Sequence, residues 1–157
     1  MDLSKTVSLK EATRSQTAVR FGIDNTPNEK QIMALTDTAV HIVDSVRSRL
    51  GDAVDVSNMF RSERLNKKIG GAKGSQHMNG EAVDLDSKDN RLNVEIFNFI
   101  KDHLTFDQLI LEYPDEKGVP QWVHVSYVQH PKVNRGQVLV KLKDKYIPFG
   151  EYRKGMI

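Results

Sequence analysis

Residues 106–113 and 121–128 are the best strand candidates in the chain, and the turn-rich Pro114-Asp115-Glu116-Lys117-Gly118 joins them. Two such runs so close in sequence predict neighbouring antiparallel strands, which need further strands and a covering layer for their apolar face. Residues 81–86 also alternate in strand fashion, with Val83 and Leu85 on one side and Ala82, Asp84 and Asp86 on the other. Val54 to Asn58 is a short strand candidate, and Val138, Val140 and Leu142 repeat the alternation in the tail.

Helices supply the cover. Thr26-Pro27-Asn28-Glu29 combines a capping threonine, a proline at the first helical position and a glutamate three after the cap. Ile32, Leu35, Ala39, Ile42, Val43, Val46 and Leu50 then share one helical face, and Gly51 stands where a stop belongs. This predicts a main helix over 27–50. Ser8-Leu9-Lys10-Glu11 predicts a short helix over 8–14, and Leu92, Ile96, Phe99 and Ile100 predict one over 91–103. Residues 61–68 are polar and helix-compatible. Helices and strands mix without a βαβ rhythm, so the expected fold is α+β, an antiparallel sheet with flanking helices.

At 157 residues, with no repeat and no composition break, the chain reads as a single domain, 1–157. A net charge of +2 does not by itself argue for nucleic acid or membrane. The absence of cysteine removes disulfides, thiolate metal sites and cysteine nucleophiles together. Any metal must therefore be held by His, Asp or Glu. Neither a signal-peptide core nor a bilayer-length apolar stretch is present, so synthesis in the cytoplasm and no membrane insertion are expected.

Two segments concentrate ligand chemistry. In Ser75-Gln76-His77-Met78-Asn79-Gly80-Glu81-Ala82-Val83-Asp84, a loop turning at Gly80 into a strand can bring His77 and Asp84 together. Ala82 on the same strand face leaves room for an ion. In Trp122-Val123-His124-Val125-Ser126, alternation puts Trp122, His124 and Ser126 on one face. Two imidazoles and a carboxylate are a three-ligand set suited to zinc. Taken alone, the residues leave open a partly buried histidine and a turn aspartate.

Ser75, His77, Gly80, Ala82 and Asp84 resemble the S-x-H-x-x-G-x-A-x-D signature of the zinc D-Ala-D-Ala carboxypeptidase group. Residues 122–126 are similar to that group's W-[VI]-H-[VI]-S ending. The group includes L-alanyl-D-glutamate endopeptidases of phages, and its metal fold is similar to hedgehog domains. Ser15, Ala18 and Gly22-Ile23-Asp24-Asn25-Thr26-Pro27 resemble the group's lead-in. Phe60-Arg61-Ser62, Leu65-Asn66 and Gly70-Gly71-Ala72 resemble a further shared run, and Phe106-Asp107-Gln108-Leu109-Ile110 with Glu112 a shared strand. The resemblance spans about residues 8–127. Residues 131–157 form a C-terminal extension outside it.

The resemblance implies that His77, Asp84 and His124 hold one zinc, which activates water and polarises a scissile carbonyl. It implies that Arg61 binds a substrate carboxylate or oxyanion, with Ser75 and Trp122 also in substrate binding. Several members carry an acidic base three residues before the last ligand, where this chain has Gln121. Glu112 is the expected substitute, because alternation puts Gln108, Ile110 and Glu112 on one face beside the strand of His124. Asp115 and Glu116 are weaker alternatives, better read as solvated turn carboxylates.

Other features point elsewhere less well. The Gly70-to-Ser75 loop superficially resembles a phosphate loop but lacks its Lys-Ser/Thr pair and preceding βαβ strand. The basic stretch 61–74 has no interleaved aromatics, against nucleic-acid binding. His41, His103 and His130 are expected at the solvent, and Ser126 lacks a base-and-orienter pair. The expected function is zinc-dependent hydrolysis of amide bonds in peptidoglycan stem peptides, by a carboxypeptidase or endopeptidase acting as a monomer. Its expected setting is the cell wall, after release or as part of a phage particle, as a lysis or tail-associated enzyme. The competing expectation is a non-catalytic zinc-containing module that binds cell wall or protein.

Overall fold

Ser8 and Ser15 each open a short helix by accepting the N–H three residues on, at 3.1 Å in both cases. In the computed structural model, which describes residues 1–156, these are α1 (Leu9–Ala12) and α2 (Gln16–Phe21). The first was expected over 8–14. The second was not expected from sequence.

The helix expected over 27–50 is present as α3 (Glu29–Thr38), a wider π-type turn (Ala39–Val43) and α4 (Asp44–Leu50), ending at Gly51. Its cap differs from the expectation. Asn28 and Gln31 exchange hydrogen bonds of 2.8 and 2.9 Å, a reciprocal closure that satisfies two backbone donors at once. Thr26 lies upstream, its N–H donating to Asp24 at 2.9 Å. Two further helices, α5 (Glu63–Lys68) and α6 (Asn93–His103), match the expected stretches.

Six strands form one sheet: β1 (Val54–Asn58), β2 (Ala82–Ser87), β3 (Gln108–Glu112), β4 (Trp122–Ser126), β5 (Gln137–Lys141) and β6 (Tyr146–Pro148). Their order is β1-β2-β4-β3-β5-β6. The fold is α+β with flanking helices, as the sequence predicts. All neighbours are antiparallel except β3 and β5. That parallel pair arises because residues 127–136 leave β4 at the end where β3 begins, so β5 enters alongside β3 in the same direction.

Alternation gives the sheet two distinct faces. Val54, Val56, Val83, Leu85, Leu109, Leu111, Val123, Val125 and Val140 point into the core against Ile42, Val43, Val46, Ile96, Phe97 and Ile100. The opposite face carries Asp84, His124, Ile110, Glu112 and Leu139, all lining one cleft. A smaller cluster of Ala18, Ile23 and Leu65 fastens α2 to α5. Among the described residues, no helix is long and apolar enough to cross a membrane.

Candidate metal centre

The pairing register decides where the polar groups meet. Asp84 on β2 lies directly opposite His124 on β4, and His124 lies opposite Ile110 on β3. Directly opposed residues point to the same face, so alternation within each strand and register between them put Asp84 and His124 side by side. His77 arrives from a different element, a single 3-10 turn (Gln76–Asn79) closed by Gly80. Gly80 has φ +77°, and a Cβ there would meet the Gln31 carbonyl oxygen at 2.6 Å. Only glycine lets the chain turn this close to α3 and run into β2.

The three residues bring one ligand atom each within 4.8 Å of one another. Asp84 Oδ1 lies 3.3 Å from His77 Nε2 and 2.9 Å from His124 Nδ1. His77 Nδ1 donates to the Met59 carbonyl at 2.8 Å, which leaves Nε2 with its lone pair toward Asp84. Burial lowers the His77 pKa, favouring this neutral form. Burial would raise the Asp84 carboxyl, but the two facing imidazoles outweigh it and hold the group well below the usual carboxylate range. A neutral imidazole nitrogen and an ionised oxygen at 3.3 Å are two acceptors facing each other, an arrangement that a cation satisfies. Two nitrogens and one oxygen, without thiols, fit zinc. The Asn58 amide donates to the other carboxylate oxygen of Asp84 at 3.2 Å.

Around this cluster runs a cleft of about 970 Å³. Arg61, Ser75 and Trp122 all line it. An Arg61 Nη2–H donates to Ser75 Oγ at 3.2 Å, while its Nε is buried with no partner found among the described residues. Asn25 holds the Arg61 run in place: it donates to the Thr13 and Phe60 carbonyls at 2.9 and 3.2 Å and accepts the Ser62 N–H at 2.7 Å. Trp122 packs against Tyr113, ring centroids 5.3 Å apart.

Glu112 stands opposite Trp122, two residues along β3 from Ile110 in the row of His124, and is only 7% exposed. Burial pushes its carboxyl pKa up to about 7, with His124 and Lys141 pulling it down and Asp84 pushing it up. Asp115 is exposed and caps its own turn, accepting the Lys117 and Val119 N–H groups at 2.9 Å. Glu116 and Gln121 are exposed and do not line the cleft. Ser126 Oγ is buried and accepts the Gln108 N–H at 3.0 Å, a structural role. His41, His103 and His130 are exposed, and His41 stacks on Tyr127.

The sequence profile of the family described as Peptidase M15 matches residues 5–126. The chain belongs to the peptidase M15 family. It is thereby a metallopeptidase of a zinc-dependent family, and its His-Asp-His cluster can hold the ion. A search of curated proteins gives no match. The M15 match ends at the last residue of β4, so β5, β6 and the loop before them lie beyond it. Residues from that segment nevertheless line the cleft: Lys132, Val133, Arg135, Leu139 and Tyr146. Sequence reasoning missed these, together with Asn58, Gln76 and Asp107.

Proposed function

We propose that the protein hydrolyses amide bonds in peptidoglycan stem peptides, as a D-Ala-D-Ala carboxypeptidase-like or L-alanyl-D-glutamate endopeptidase-like enzyme, with zinc held by His77, Asp84 and His124. The observation carrying this reading is one sheet face on which Asp84, His124 and the buried Glu112 share a cleft with Arg61. Zinc, when bound, supplies a Lewis acid for the scissile carbonyl and lowers the pKa of water toward neutrality.

Each of the chain's own groups has a distinct task. His77 is kept in its neutral tautomer by the Met59 carbonyl and presents Nε2 as a donor atom. Asp84 contributes an ionised oxygen whose neighbour is fixed by the Asn58 amide. Glu112, with a pKa near 7, takes a proton at its carboxylate from the attacking water and passes it to the leaving amine. Arg61, with a free buried Nε–H, donates to a substrate carboxylate or the developing oxyanion. Ser75 orients that guanidinium, and Trp122 packs against the peptide beside the base. The proposed setting is cell-wall peptide, reached after release or from a phage particle.

The test is zinc-loaded protein incubated with isolated sacculi and synthetic stem peptides, with products read by mass spectrometry. Cleavage abolished by a chelator and restored by zinc is the expected result. If no amide is cut by fully loaded protein, the non-catalytic zinc-containing binding module takes the place of this reading.

A further inference from the structure

Arg135 lies in the loop between β4 and β5, beyond the M15 match, and it reaches back to Asp107 just before β3. Asp107 is 3% exposed and accepts four hydrogen bonds. Three come from Arg135: the backbone N–H at 3.1 Å, Nε at 2.9 Å and Nη2 at 2.8 Å. The fourth comes from Gln76 Nε2 at 3.0 Å. Gln76 immediately precedes His77, and its carbonyl accepts the Glu81 N–H at 3.0 Å, closing the turn that leads into β2. The planar guanidinium fixes both carboxylate oxygens of Asp107 in the paired geometry that arginine favours.

We propose that Asp107, oriented by Arg135, is a positioning residue for the metal centre, acting through Gln76 on the turn that carries His77. The proposal rests on the reading of His77, Asp84 and His124 as metal ligands. Within the matched segment the Met59 carbonyl at Nδ1 and the Asn58 amide, 3.3 Å from Nδ1 and 3.4 Å from Nε2, hold the His77 ring, and the Arg61 N–H holds the His77 carbonyl at 3.2 Å. None of these ties down the Gln76 side chain at the start of the turn, and Asp107 does so. Groups that orient a metal ligand without touching the ion typically change affinity by about 10- to 100-fold when removed. The Arg135 side chain is 56% exposed, so the pair adds little to global stability on its own. Its effect should appear at the metal.

The experiment measures zinc dissociation constants by competition with a chromophoric chelator, and the visible spectrum of the cobalt-substituted protein, for wild type and three variants. Gln76→Ala removes one neutral donor and leaves the Asp107–Arg135 pair intact. It should weaken zinc binding roughly 10-fold or more and shift the cobalt bands. Arg135→Ala should do the same, and Arg135→Lys should recover part of the loss. If Arg135→Ala fails to fold, Gln76→Ala decides. Wild-type affinity and an unchanged cobalt spectrum in Gln76→Ala overturn the proposal. If the wild-type protein itself binds no zinc, the ligand assignment falls, and this proposal with it.

Discussion

The cleft has walls of two kinds. In residues 5–126 a lining donor stays unsatisfied: Arg61 Nε is buried without a partner among the described residues. In residues 127–156 the lining cations are already paired, Lys132 to Glu81 at 2.6 Å and Arg135 to Asp107 at 2.8 Å. Both regions put positive charge at the same opening, yet only the first lines it with a buried donor that has no partner among the described residues. A charged side chain beside a cleft is therefore read by its partners rather than by its sign. On that ground we assign the proposed chemistry to the matched segment and a supporting role to the following one.

The sharpest break of this contrast is at the ligands. His77→Ala or His124→Ala should reduce zinc content from about one per chain to near zero by elemental analysis, since two remaining donors hold zinc poorly. Full zinc retention in both variants would remove the chemical role from the matched wall.

Next in size is the base. Glu112→Gln should keep zinc and lose on the order of 10²–10⁴-fold in rate. The pH dependence has a definite sign. Glu112 must be ionised to accept a proton, so the wild-type rate should rise with pH through about 7. Stability of the metal-free protein runs the other way. A carboxyl raised from 4.5 to about 7 contributes stability that is fully present below 4.5 and lost as pH rises through 7. The span corresponds to at most about 3 kcal/mol. Glu112→Gln should abolish that slope in denaturant melts of metal-free protein between pH 4 and 8.

Arg61→Ala should lower turnover by roughly 10²-fold, the size of a lost oxyanion donor, with zinc content unchanged. A loss confined to zinc binding would instead make Arg61 a support for the His77 turn. The smallest effect belongs to the other wall. Lys132 is 59% exposed at its side chain, so Lys132→Ala should change stability by less than about 1 kcal/mol and leave turnover intact. A large loss of turnover would place a substrate contact in residues 127–156 and erase the distinction between the walls.

Local physics made much of the site legible. Period-two alternation assigned Asp84, His124 and Glu112 to one side of their strands, and the pairings Asp84 to His124 and Glu112 to Trp122 agree with it. Asn58 shows where alternation misleads. Counting by twos from Val54 and Val56 puts Asn58 on the core face, but the register shifts between Val56 and Asn58, so Asn58 faces Asp84. The helix start was misplaced by two residues because Asn28 outcompetes Thr26 once Gln31 can close the reciprocal cap.

By itself the sequence determined the capped helices, the alternating strands, the turn at Gly80 and the residue types able to bind a metal. Each depends on neighbours within a few positions, where backbone sterics and side-chain period act directly. Beyond the β3–β4 pair that the sequence predicts, tertiary structure alone decided the strand order, that β5 lies parallel to β3, and that Arg135 and Gln76 both close on Asp107. Those outcomes join residues 28 and 31 positions apart. No local preference encodes such distances. They are set when the sheet buries its apolar face and the remaining polar groups take the partners that packing brings within reach.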